Sequence, residues 1–136
     1  MNFARRIVID TGVLVSAALR PKSVPALALE KAFLHFEICA CDETLAELKR
    51  VLRRSKFDAY VLRETREEFL AGFHRRVLHI GTIPAISDCP DPEDNKFLAL
   101  AEAAEAELIV ASDSHLTAMH PWRGIPILPP AVFLVR

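Results

Sequence analysis

Short apolar runs alternate with helical patterns along this chain. Residues 6–10 read as a buried strand, because Ile7, Val8 and Ile9 are β-branched throughout and Asp10 ends the run. Residues 25–36 read as a helix with a proline in its first turn. Residues 37–41 read as a second strand. Asp42 is then the expected cap of a helix over 42–53, which carries Leu45, Leu48 and Leu52 on one face. Residues 60–73 supply one or two further helices, with Leu62, Phe69, Leu70 and Phe73, and 77–80 form a short strand. The clearest helix spans 92–107. Asp91 is its candidate N-cap, Pro92 takes the first position, and acids fill the first turn. Residues 108–112 make another buried strand and 125–128 the last one. The loops at 84–92 and 121–130 are marked by proline.

Strands separated by helices predict a mostly parallel sheet with helices on both faces, a doubly wound three-layer α/β/α sandwich. The length of 136 residues suits one domain spanning 1–136, and no repeat, linker or low-complexity tract divides it. With 51% hydrophobic and 26% charged residues, the composition excludes a disordered chain, a collagen-like fibre and a coiled coil. No stretch reaches the roughly 18 apolar residues of a membrane span, and Asp10 breaks any signal-peptide core near the start. A soluble, cytoplasmic protein with no membrane contact is expected. Three cysteines, an odd number, argue against a disulfide framework. Cys39 and Cys41, two apart on a strand, point to one face and read as buried thiols.

The net charge of −1, from 17 basic and 18 acidic residues, argues only against a uniformly basic nucleic-acid binder. The charges are segregated. Residues 49–76 hold nine basic and four acidic residues, a net +5, whereas 88–113 hold eight acids and Lys96 alone as a base, a net −7. Two solvated helix faces of opposite sign would explain this blandly. A chemical explanation starts from the sheet, because ligands of such folds bind at the carboxyl ends of the strands, near a topological switch point.

Asp10 and Asp113 each directly follow an apolar strand, about 100 residues apart in sequence. Asp94 lies in the first turn of the 92–107 helix, on the row of Phe97, Leu98 and Ala101, and so tilts toward the packed side. Glu47 lies at the margin of the Leu45, Leu48 and Leu52 stripe. Four carboxylates converging on one edge repel one another unless a cation sits between them. A hard divalent ion, Mg²⁺ or Mn²⁺, suits such oxygen ligands and can activate water and stabilise phosphoryl charge. Each acid also has a plain alternative. Acids are what any helix N-terminus prefers, Glu47 can pair with Arg50, and Asp10 can cap the helix that follows it.

In four ordered segments the sequence resembles the PIN-domain nucleases, most of all the VapC-like toxin components of bacterial and archaeal toxin–antitoxin pairs. The segments are Ile7-Val8-Ile9-Asp10-Thr11-Gly12-Val13-Leu14-Val15-Ser16-Ala17, the stretch from Thr44 through Glu47 to Leu52, the stretch from Asp91 through Asp94 to Ala101, and Leu108-Ile109-Val110-Ala111-Ser112-Asp113. The resemblance implies a single PIN-like domain whose acidic site maps onto Asp10, Glu47, Asp94 and Asp113. It implies metal ligation by Asp10, Asp94 and Asp113, directly or through water, with Glu47 ligating the ion or orienting the nucleophilic water. Thr11, Ser16 and His115 would be supporting hydrogen-bond partners. The implied reaction is Mg²⁺- or Mn²⁺-dependent hydrolysis of RNA phosphodiester bonds. The implied partners are an RNA substrate, a cognate antitoxin and a second copy of the chain. Lys49, Arg50, Arg53 and Lys56, on or just beyond the Glu47 helix, would contact RNA phosphates without reading its sequence.

Two positions depart from the family pattern. Gly12 stands where the family often has Asn, and His115 where it often has a further Asp. They keep a second reading open, a catalytically degenerate PIN fold that only binds RNA or protein. Asp10-Thr11-Gly12 also matches the motif of dimeric aspartic proteases. Those are mostly β with glycine-rich flaps, however, and this chain has four glycines and strong helical patterns. A phospho-accepting receiver domain would need paired acids after the first strand, which are absent.

Overall fold

The computed structural model describes residues 5–136. Five parallel strands form one sheet: β1 (Arg6–Ile9), β2 (Glu37–Ala40), β3 (Leu78–His79), β4 (Leu108–Val110) and β5 (Ile127–Leu128). Their order is β3-β2-β1-β4-β5. The chain winds outward from β1 to one side and then returns to fill the other. The switch point therefore falls between β1 and β4, where Ile9 pairs with Val110.

The helices are α1 (Thr11–Leu19), α2 (Val24–His35), α3 (Asp42–Leu52), α4 (Arg63–Arg76), α5 (Asn95–Ala104), α6 (Ser114–Thr117) and α7 (Pro130–Leu134). Side chains alternate across each strand, and the two faces build two cores. Ile7, Ile9, Ile38, Ala40, Leu108 and Val110 pack with α1, α2, α3, α4 and α7. Val8, Cys39, Cys41, Ile109 and Ala111 pack with α5, Leu116 and Trp122. This is the expected three-layer α/β/α sandwich, and Cys39 and Cys41 are buried thiols on one face, as their spacing predicts. Among the described residues, no helix is long and apolar enough to cross a membrane.

Several elements differ from the sequence reading for identifiable reasons. The α1 helix is expected only as the helix that Asp10 could cap, without bounds, because Thr11, Val13, Leu14, Val15 and Ala17 are all buried and leave no amphipathic stripe to read. Asp42 is the first residue of α3 and not its cap. Cys41 takes that place, and the Thr44 hydroxyl accepts the Cys41 backbone N–H at 3.1 Å. The helix expected over 60–73 lies at Arg63–Arg76. The helix expected over 92–107 begins as a 3₁₀ turn, Pro92–Asp94, and α5 stops at Ala104. Glu105 there takes the left-handed conformation, φ 52°, and its N–H closes onto Ala101 and Glu102 carbonyls.

Arg66 lies in the basic stretch but is not a surface cation. Its side chain is 1% exposed. It pairs with Asp58 and donates to the carbonyls of Leu52 at 2.6 Å, Arg54 at 3.3 Å and Val61 at 3.3 Å. These bonds tie down the connection between α3 and α4. Arg66→Ala strands those carbonyls and is expected to destabilise the fold by about 3 kcal/mol in urea unfolding, whereas a loss below about 1 kcal/mol would refute the strut.

Candidate functional site

The β1–α1 junction anchors the site. Asp10 is 2% exposed and caps α1, its Oδ1 accepting the Val13 N–H at 2.9 Å. Its Oδ2 accepts the N–H groups of Ser112 at 3.0 Å and Asp113 at 3.2 Å, just beyond β4. One carboxylate thus stitches together two strand ends that are about a hundred residues apart in the chain, and it brings Asp113 beside β1.

Asp94 arrives from the other side of the sheet. It closes the 3₁₀ turn before α5 and is drawn inward with Phe97, Leu98 and Ala101, all buried. One donor atom from each of Asp91, Asp94, Asp113 and His115 lies within 4.8 Å of the others. The Asp94 Oδ2 atom is buried there without a hydrogen-bond partner. A buried, unpaired carboxylate oxygen is costly unless a proton or a cation compensates it. The three carboxylates are oxygen ligands of the kind a hard divalent ion such as Mg²⁺ or Mn²⁺ takes, whereas the imidazole suits softer ions better.

The grouping differs in detail from the one read in the sequence. Asp10, Asp94 and Asp113 converge. Asp91 and His115 join Asp94 and Asp113 more closely than Glu47 does. Asp91 was legible only as a helix cap, and its Oδ1 does accept the Glu93 N–H at 3.0 Å. His115 turns its Nδ1 to 3.3 Å from the Asp113 Oδ1, and its backbone N–H bonds that same oxygen at 2.7 Å. The signal for both was spacing: Asp91 sits three residues before Asp94, and His115 two after Asp113.

Glu47 stands one step aside. Its Oε1 accepts the Thr11 hydroxyl, and its Oε2 lies 2.6 Å from the Lys96 ammonium and 3.8 Å from Arg50. Thr11 thus bonds Glu47 and not one of the clustered acids. Ser16 is half-buried on α1, and among the described residues no side-chain hydrogen bond joins it to the acids. A Cβ at Gly12 would meet the Ser112 Oγ at 2.4 Å, so a larger residue there would require the Ser112 hydroxyl to turn aside.

The residues proposed from the basic stretch are exposed along α3 and just beyond it. Arg53 makes a two-pronged pair with Glu67, at 2.7 and 3.1 Å, and Lys56 lies over the Phe57 ring. Exposed pairs of this kind contribute little to stability, because water and salt screen them.

Burial and crowding set the protonation of the acids. Burial pushes Asp10 up to about 6, with the charge of Asp113 adding to it and the three backbone N–H bonds pulling the other way. Burial, then the charges of Asp113 and Asp91, push Asp94 up to about 7. Both groups bind their protons more tightly folded than unfolded. Without a divalent cation, then, stability is highest at mildly acidic pH and falls as pH rises from about 4 to about 7. Thermal unfolding in EDTA should show a higher midpoint at pH 5.5 than at pH 8, with Mn²⁺ raising the midpoint most at pH 8. An EDTA midpoint at pH 8 equal to or above that at pH 5.5 would contradict the assigned crowding.

Comparison with known proteins adds to this geometry. The sequence matches the PIN domain family over residues 6–115. No curated protein sequence matches it. Among solved structures, the chain is similar to VapBC2 from Rickettsia felis bound to a DNA fragment from its promoter, at 16% identity and a TM-score of 0.63, covering 91% of this chain and 98% of that one. It is also similar to PAE2754 from Pyrobaculum aerophilum, at 15% identity and a TM-score of 0.64, covering 96% and 88%. FitAcB from Neisseria gonorrhoeae is a third, at 18% identity and a TM-score of 0.55, covering 92% and 98%. At these identities the structural likeness concerns the fold.

Proposed function

The chain belongs to the PIN-domain family, and from that premise we propose that it is a divalent-metal-dependent endoribonuclease, the toxin of a toxin–antitoxin pair. The observation that carries this reading is the grouping of Asp91, Asp94, Asp113 and His115, one ligating atom from each within 4.8 Å of the others, at a place where Asp94 is buried. Carboxylates brought this close repel one another unless they share protons or a cation.

Asp94 and Asp113 are the central ligands in this reading, with Asp91 and His115 beside them. Asp10 contributes charge and spare acceptor capacity on Oδ1, which takes a single N–H. Bound Mg²⁺ or Mn²⁺ supplies positive charge against phosphoryl oxygens and lowers the pKa of water toward neutrality. The chain's own residues do the rest. Glu47, held by Thr11, accepts a hydrogen bond from the attacking water and orients it. Lys49, Arg50, Arg53 and Lys56 line the path along α3 and beyond, where phosphates of a single RNA strand can be held without sequence readout. The antitoxin, a homodimeric state and the cytoplasm as the place of action belong to the same reading. The likeness in fold to VapBC2 and FitAcB supports only the antitoxin part of it, which a small reading frame beside the gene would support further.

Cleavage of an RNA oligonucleotide in Mn²⁺ tests the chemistry. Asp94→Asn and Asp10→Asn should each lower the rate by more than about a hundredfold, and activity equal to wild type in both would overturn the site. RNA binding without any cleavage by the wild-type chain would favour the degenerate binding module, which Gly12 and His115 keep in view.

The basic face is tested separately by binding. Reversing charge at both Arg53 and Lys56 should weaken RNA binding and lower the slope of log K against log salt by roughly 1.4, two phosphate contacts on a single strand. Unchanged affinity and slope would remove both residues from the interface.

A further inference from the structure

Lys96 stands where helix electrostatics argue against a cation. It lies in the first turn of α5, whose unpaired N–H groups make that end positive. Its side chain is only 16% exposed, although a lysine on a helix surface ordinarily carries its ammonium out to water. Three acceptors hold the ammonium: the Glu47 Oε2 at 2.6 Å, the Glu93 carbonyl at 2.7 Å and the Glu93 carboxylate at 3.3 Å. Glu93 is a neighbour on the same turn. Glu47 is the contact that reaches another element, α3.

The geometry on the Glu47 side is complementary. Thr11, next to Asp10, holds one carboxylate oxygen, and Lys96, two residues after Asp94, holds the other. Glu47 is therefore gripped from both sides by segments that also carry the acids of the site. An ionised carboxylate offers about four lone-pair positions, so this grip leaves room for a further donor.

We propose that Lys96 is a positioning residue, which with Thr11 fixes the Glu47 carboxylate in a single orientation beside the acidic group. The proposal rests on the nuclease reading, because Glu47 is given its water-orienting role there. It differs from a direct phosphate contact by Lys96. A lysine that touched RNA on its own would lose its effect independently of Glu47.

A double-mutant cycle separates these roles. Cleavage of an RNA oligonucleotide in Mn²⁺ is measured for wild type, Lys96→Met, Lys96→Arg, Glu47→Gln and the Lys96→Met/Glu47→Gln pair. Lys96→Met should lower kcat by roughly tenfold to a hundredfold, the usual range for losing a partner that orients a site residue, with KM changed less than about threefold. Lys96→Arg should recover most of that loss, and the double variant should be no slower than Glu47→Gln alone. Thermal unfolding checks that each variant folds, and Lys96→Gln replaces Lys96→Met in the cycle if the latter does not. Full kcat in Lys96→Met, or losses that multiply in the double variant, would overturn the role. A wild-type chain that cleaves no RNA would instead overturn the nuclease reading, and the Lys96 role with it.

Discussion

Bringing several carboxylates to one buried sheet edge is the constraint on which the rest of the structure depends. Like charges in a poorly solvated place raise one another's affinity for protons or demand cations. Each device around the edge answers that demand. Three backbone N–H groups from two different segments bond Asp10. Lys96 and Arg50 attend Glu47. Asp94 is left with an oxygen that no protein group satisfies. The edge is stable enough to fold and still deficient in positive charge, a combination suited to a cation-dependent site.

The parallel sheet makes this crowding possible. In a doubly wound order, β1 and β4 lie side by side and end on the same edge, so Asp10 and Asp113 become neighbours without any contact local in sequence. Asp94 is then added from above by α5, whose buried face of Phe97, Leu98 and Ala101 leaves the preceding turn no other place to go. Chemistry at the edge is thus paid for by apolar packing on both faces of the sheet.

The segregation of charge along the chain takes on a different meaning in three dimensions. The acidic stretch supplies Asp91, Asp94 and Asp113 to the candidate site, together with Lys96, its only base, which serves Glu47. The basic stretch is less free than its net +5 implies. Arg66 is buried in carbonyls and Arg53 is engaged by Glu67, whereas Lys49 and Arg50 remain exposed on the helix that carries Glu47. Two stretches that nearly cancel in the total charge therefore meet at one helix, α3, and differ in what each remaining charge can touch.

Much of the fold was legible in the sequence, since β-branched runs such as Ile7-Val8-Ile9 favour buried strands, and strands alternating with helices favour a parallel sheet. Asp10, directly after β1, and Asp113, three residues beyond the end of β4, followed from the same logic. The extent of the α1 helix was not legible, because burial on nearly all sides erases the periodicity that marks a helix. The end of α5 was not legible either, since Glu105 adopts a left-handed cap that residue type does not announce. Which acids share a donor group, and which one turns to a lysine, depended on side-chain positions a few ångströms apart. Sequence spacing determines which edge a residue reaches. Only the packed tertiary structure decided that Asp91 and His115 join Asp94 and Asp113 while Glu47 faces Lys96, because charge interactions change over single ångströms and sequence carries no distances at that scale.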